Sequence, residues 1–320
     1  MRTEHRPSAD WLADFDSPQA AASEKPDPAA GNGHEDRDPL IRVGSFRFDL
    51  PPDRSDRDAV IEATSVTVQF GGLLAVNGAS LTVREGEITG LIGPNGAGKT
   101  TFFNAILGLN EPKAGTVKIF GHDASGMPPH MRARLGVART FQVLQLFNEL
   151  SVFDNMLVAT HPHNPSGIVS NLVASQQTLI AEATARKRVH RILRMLDLDD
   201  IAHHGVRGLP FGTLRMVELG RALVTGAKLI MLDEPASGLN EAETDRLSAV
   251  VARLRDLGLS VLLIEHDVRM VTGLCDYVYV LDQGQLIAEG TSAEIQRDPR
   301  VVAAYLGEPD QEPERESAPV

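Results

Sequence analysis

Eight residues, Gly93–Thr100 (GPNGAGKT), constrain this chain more than any other feature. They match the pattern G-x-x-x-x-G-K-[ST], between the apolar run EITGLI (Glu87–Ile92) and the helix-forming run TTFFNAIL (Thr100–Leu107). A glycine-rich turn ahead of a helix is common, but a strand before it and a helix after it make it a phosphate cradle. The glycines let successive backbone N–H groups turn toward phosphate oxygens, and the helix N-terminus adds its positive end. Lys99 is expected to reach the β- and γ-phosphates of a nucleotide, and Thr100 to hold Mg²⁺.

A strand–loop–helix of this kind belongs in an α/β fold, and the rest of the chain agrees. VIEATSVTVQF (Val60–Phe70) and ASLTVREGEITGLIG (Ala79–Gly93) read as strands broken by turns at Gly71-Gly72 and Glu85-Gly86. LIMLDEP (Leu229–Pro235) and SVLLIEHD (Ser260–Asp267) are apolar runs without alternation, which suits strands buried on both faces of a parallel sheet. Between them lies a helix with Asn240 as its cap, Glu243 at the third position, and Leu247, Val250, Leu254 and Leu257 as its buried stripe. Residues from about 143 to 207 carry helical patterning with no strong strand signal, so they read as a helical insertion. No internal repeat is present, and the phosphate-loop motif occurs once.

The ends differ from the middle. Residues 1–58 hold 13 acidic and 8 basic side chains and residues 308–320 hold 5 and 1, so most of the net charge of −12 lies outside 59–307. Both ends read as disordered acidic extensions, although Leu40–Leu50 (LIRVGSFRFDL) is apolar enough to dock on the core. No basic stripe supports a nucleic-acid partner. Cys275 is the single cysteine, which excludes an intrachain disulfide and suits a reducing compartment. The N-terminus has no apolar segment of signal-peptide type, and no apolar run approaches the roughly 20 residues of a membrane span. Any membrane role is expected to come through a partner.

Three further places carry chemistry. Asp233 ends a buried strand and can hold a Mg²⁺ shell, and Glu234 beside it is placed to polarise an attacking water. His266 follows another buried strand, at a height where it could contact a γ-phosphate. LPFGTLRMVELGRAL (Leu209–Leu223) reads as a helix with one buried face: Met216, Leu219 and Leu223 lie inward, Arg215, Glu218 and Arg221 lie on the other side, and Pro210 sits in the first turn. The histidines of THPHN (Thr160–Asn164) and His203-His204 lack metal-ligand spacing and read as solvated loop residues.

In this order, Gly93–Thr100, Gln142 in RTFQ, LDEP, SGLN (Ser237–Asn240) and EHD resemble the motif set of ATP-binding cassette subunits, over about Val60–Gly307. The resemblance implies a RecA-like phosphate-loop core, an antiparallel β subdomain and an inserted helical subdomain at about 143–212, all within one ATPase domain at 59–307. It implies two cassettes arranged head to tail around two ATP molecules, the second being the same or a different chain. Phe70 would stack on adenine with Val76 beneath it. Gly93, Pro94, Asn95, Gly96, Ala97, Gly98, Lys99, Thr100 and Thr101 would bind the phosphates. Thr100, Gln142 and Asp233 would hold Mg²⁺, Glu234 would be the general base, His266 the γ-phosphate contact, and Gln142 would also sense the transporter. Leu209–Thr213 takes the place of the family's L-S-G-G-Q signature, which acts on the partner's ATP. Leu209 and Gly212 fit that pattern, whereas Pro210, Phe211 and Thr213 do not, and Asn240 replaces the usual aspartate of its loop.

Within the family, FGGLLAVNGASLTV, ARTFQVLQLFNELSVFDNMLVA and AEGTSAEIQRDPRVVAAYLGE most resemble the ATPases of branched-chain amino acid uptake systems, a subgroup that includes cassettes for urea and short amides. Permease subunits and, indirectly, a solute-binding protein are the implied partners, at the cytoplasmic face of the plasma membrane. A soluble non-transport cassette would normally bring paired cassettes or long coiled coils. A kinase or synthetase with the same loop would leave Gln142, the 209–223 segment and His266 unexplained together.

Overall fold

The computed structural model of the protein describes residues 53–140, 144–160 and 176–306. The expected extensions, apart from 53–58, and THPHN beyond Thr160 lie outside these residues. In chain order the elements are β1 (Ala59–Phe70), β2 (Leu73–Arg84), β3 (Ile88–Ile92), α1 (Lys99–Leu107), β4 (Ala114–Ile119), β5 (His122–Asp123), α2 (Pro129–Arg134) and β6 (Val137–Arg139). There follow α3 (Val152–Val158), α4 (Gln176–Met195), α5 (Phe211–Leu223), β7 (Leu229–Asp233), α6 (Glu241–Asp256), β8 (Ser260–Ile264) and α7 (Val268–Leu274). The chain continues through β9 (Tyr277–Asp282), β10 (Gln285–Gly290), α8 (Ser292–Ile295) and α9 (Pro299–Leu306). Among the described residues no helix is long and apolar enough to cross a membrane.

The chain forms two compact units. One contains Asp58–Leu135, Leu232–Ala236 and the described residues from Val261 to Leu306. It has an antiparallel sheet in the order β2-β1-β4-β5, and a mixed group in which β3 runs parallel to both β8 and β9 while β10 pairs antiparallel with β9. Every residue of β3 is buried, as the unalternating apolar run requires. Helix α1 lies against β1 and β2 and buries Phe102, Phe103 and Ile106 completely. Its last carbonyls are held by Arg132 of α2, whose buried guanidinium donates to the oxygens of Ala105, Ile106, Ala124 and Met127. A cation placed at a helix C-terminus complements the helix dipole.

The other unit contains Gly136–Met231 and Ser237–Ser260. Here β6 and β7 pair in parallel, and α3, α4 and α5 pack on one another, with Phe153, Met156, Ile192, Leu193, Met216 and Leu219 buried. Helix α6 has the expected capping box: Asn240 accepts from the Glu243 N–H while the Glu243 carboxylate accepts from the Asn240 N–H.

One expectation is corrected in this unit. Arg215 and Glu218 do not lie on a solvent side of α5; they are 6% and 5% exposed and pair at 3.1 Å. Arg221 is half-buried, lies 5.3 Å over the Phe147 ring, and donates to the Gln145 carbonyl. The helix is enclosed by its neighbours, and opposite charges three residues apart on one helix can be buried together because each satisfies the other.

Candidate functional site

The phosphate-loop segment runs from the end of β3 into α1, wedged between other backbones of its unit. A side chain at Gly93 (φ +151°) would put its Cβ 1.9 Å from the Leu281 carbonyl oxygen, and one at Gly98 (φ +99°) would come within 2.3 Å of the Ala75 carbonyl oxygen. The β9–β10 turn holds this segment from the far side: the Gly284 N–H donates to Ala97 O, and Gly284 O accepts from the Asn77 N–H. Sequence reasoning missed Gly284, because Asp282-Gln283-Gly284 signals a hairpin turn and nothing about what the turn touches.

The loop encloses a cation. Lys99 is 6% exposed, and its Nζ donates to Gly93 O at 2.6 Å and Pro94 O at 3.0 Å. Asn95, Gly96 and Thr100 are exposed around it, and Thr101 is half-buried. No side chain caps α1, and the first N–H groups of a helix look for acceptors outside it. Loop, lysine and helix end together therefore suit an anionic group. Phe70, at the end of β1, is 51% exposed, and Val76 in β2 is fully buried.

The acidic residues leave the same strand edge. Ile264 at the end of β8 pairs with Leu91 of β3, two residues before Gly93. The Glu234 N–H donates to Ile264 O at 2.9 Å, so the turn after β7 is fastened to the end of β8. Asp233 is 2% exposed, while Glu234 is half-buried with φ +45°, in the left-handed region. Backbone this sparsely populated by non-glycine residues tends to cluster at functional sites. His266 presents an exposed side chain two residues beyond β8. Ligands of open α/β sheets bind outside the carboxyl ends of parallel strands, where these residues stand.

Between Ile264 and His266 lies Glu265, which sequence reasoning quoted in EHD without giving it a role. It is fully buried, accepts from the Ala236 N–H at 2.8 Å and accepts from the His266 N–H at 3.1 Å. Only its type, an acid at the end of an apolar run, could have hinted at this.

Phe70, Val76, Gly93–Thr101, Asp233, Glu234 and His266 all belong to one unit, and Leu209 and Gly212 to the other. Gln142 lies outside the described residues. Pro210 is the N-cap of α5 and makes no side-chain cap, as a proline must. At buried Gly212 a side chain would displace the Glu243 carboxylate, whose Oε1 would lie 2.5 Å from the Cβ. Phe211 lies beneath the Arg215 guanidinium at 5.2 Å, and its ring limits the space over Gly238. The hydroxyl of Thr100 and the carboxylate of Asp233 are hard oxygen donors, a set that fits Mg²⁺ completed by phosphate oxygens and water.

Comparison with known proteins agrees with this geometry. The profile of the ABC transporter family matches residues 76–237, and that of the branched-chain amino acid ATP-binding cassette transporter matches residues 285–311. The chain is 41% identical over 250 residues to the high-affinity branched-chain amino acid transport ATP-binding protein BraF of Pseudomonas aeruginosa, across 78% of this chain and 98% of that one. It is 42% identical, with the same coverage, to LivG of Salmonella typhimurium, a protein of the same description. Among solved structures, the ADP conformation of MJ1267, an ATP-binding cassette of an ABC transporter, superposes with a TM-score of 0.68 at 30% identity, covering 78% of this chain and all of that one.

Proposed function

The chain belongs to the ATP-binding subunits of ABC transporters, and on that footing we propose that it energises an importer of branched-chain amino acids. The observation that carries the solute class is the match of residues 285–311 to a profile particular to branched-chain amino acid cassettes. The identity to BraF and LivG over nearly their whole length supports it.

In this reading ATP lies with its adenine on Phe70 above Val76, and its phosphates in the cradle of Gly93–Thr101. Lys99, now held by the carbonyls of Gly93 and Pro94, neutralises the β- and γ-phosphates. Glu234 takes a proton from the water that attacks the γ-phosphorus, and His266 donates a hydrogen bond to the γ-phosphate as charge develops on it. Thr100, Asp233 and Gln142 would hold Mg²⁺, which when bound supplies positive charge to the phosphate oxygens. Leu209 and Gly212, with the N-terminus of α5, act on the ATP of a second cassette, the same chain or another. Without a side-chain hydroxyl at Pro210, that action rests on backbone N–H groups and the helix end. The partners are permease subunits, and through them a solute-binding protein, with this chain at the cytoplasmic face of the membrane.

The test is uptake of labelled leucine, isoleucine and valine by cells lacking this chain, restored by the wild-type gene. Glu234→Gln should bind ATP normally yet lose about 10²–10⁴ in turnover and fail to restore uptake. Lys99→Ala should lose ATP binding itself. Unchanged uptake on loss of the chain would overturn the solute assignment, and steady hydrolysis by Glu234→Gln would overturn the base.

A further inference from the structure

A carboxylate as fully buried as that of Glu265 is costly, because desolvation opposes its charge. Burial raises this carboxyl above the usual carboxylate range, while the N–H groups of Ala236 and His266, the His266 imidazole and the Asp267 N–H act against the rise. What the buried group touches gives it a use. Oε1 accepts from the N–H of Ala236, two residues beyond Glu234, and Oε2 accepts from the N–H of His266. Oε2 also lies 3.7 Å from Nδ1 of His266. One side chain therefore binds the turn that carries the acid and the turn that carries the histidine.

The backbone of Glu234 needs such support. Its φ of +45° costs free energy in any non-glycine residue and persists only where the surroundings over-determine it. The Glu234 N–H is held by Ile264 O on one side, and the chain is held again at Ala236 by Glu265 on the other. Removing the second anchor frees the left-handed turn to relax.

We propose that Glu265 is a positioning residue for ATP hydrolysis, its carboxylate fixing Glu234 and His266 in one frame. The assignment rests on the reading of Glu234 as the base and His266 as the γ-phosphate contact. A carboxylate suits the task because both oxygens accept, whereas glutamine would turn an N–H₂ toward one of two backbone donors. Aspartate would keep both acceptors but fall one methylene short.

The test uses the full chain, with steady-state ATPase kinetics and ATP affinity measured beside thermal unfolding. Glu265→Gln should lower kcat roughly 10- to 100-fold while KM and the nucleotide Kd stay within about twofold, because misplaced groups lose rate and the phosphate loop is untouched. Glu265→Asp should fall between the two. Combined with His266→Ala, the loss from Glu265→Gln should be smaller than in the wild-type background, since residues that act through one another do not add. If Glu265→Gln fails to fold, Glu265→Asp decides alone: lower kcat at unchanged KM supports the role, and wild-type kcat overturns it. Wild-type kcat in Glu265→Gln, or losses that multiply fully with His266→Ala, would also overturn it. Glu234→Gln in the same assay separates the two readings. Turnover by that variant sinks the base assignment, whereas a dead Glu234→Gln beside a fully active Glu265→Gln sinks only the positioning role.

Discussion

Gly98 caps α1 with φ +99°, and a methyl group there would approach the Ala75 carbonyl oxygen to 2.3 Å. Gly96 has a similarly left-handed backbone, at φ +78°, but nothing lies within 4 Å of where its Cβ would be. Alanine at Gly96 therefore meets backbone strain alone, about 1–2 kcal/mol. At Gly98 it meets strain and a backbone collision, and the loss should reach about 3 kcal/mol or more. Urea unfolding of Gly96→Ala and Gly98→Ala checks this, and equal midpoints would contradict it. The motif in the sequence marks both glycines alike, because it records spacing along the chain, while the Ala75 carbonyl that separates them comes from another strand. Lys99 is a similar case: its identity as the loop lysine is legible, but its two bonds to Gly93 O and Pro94 O are visible only once the loop has closed.

Elements were legible to the extent that one local rule decided them. Helix α6 follows its capping box and apolar stripe closely, since Asn240, Glu243 and Leu247–Leu254 lie within a few turns of one another. Strands β3, β7 and β8 follow from apolar runs too short for helices and too continuous for half-exposed strands. Helix α5 broke the rule. Its polar residues keep helical spacing, yet Arg215 and Glu218 are buried and pair inside. Glu218→Ala should then cost about 3–5 kcal/mol, because it leaves the Arg215 charge buried beside a smaller neighbour. Replacing both together, as Arg215→Met with Glu218→Leu, should cost much less. Denaturant midpoints of the single and double variants give the comparison, and a double variant as unstable as the single would refute it.

For the whole molecule, the composition of 1–58 and 308–320 offers little apolar surface to offset the entropy of ordering. A chain trimmed to 59–307 should bind ATP with the affinity of the full chain and melt within a few degrees of it. A large loss in either measurement would mean that Leu40–Leu50 is seated on the core. The family and the α/β class were determined by the sequence itself, because the fold class rests on short apolar runs and turns that act locally, and the family on short motifs whose order along the chain can be read directly. Tertiary structure decided which polar groups are buried and what they hold: Arg132 on the end of α1, Gly284 against Ala97, Arg215 with Glu218, and Glu265 across two turns. Most of these contacts join residues tens of positions apart. Their energies depend on desolvation and close approach, which exist only when the chain has brought the groups together.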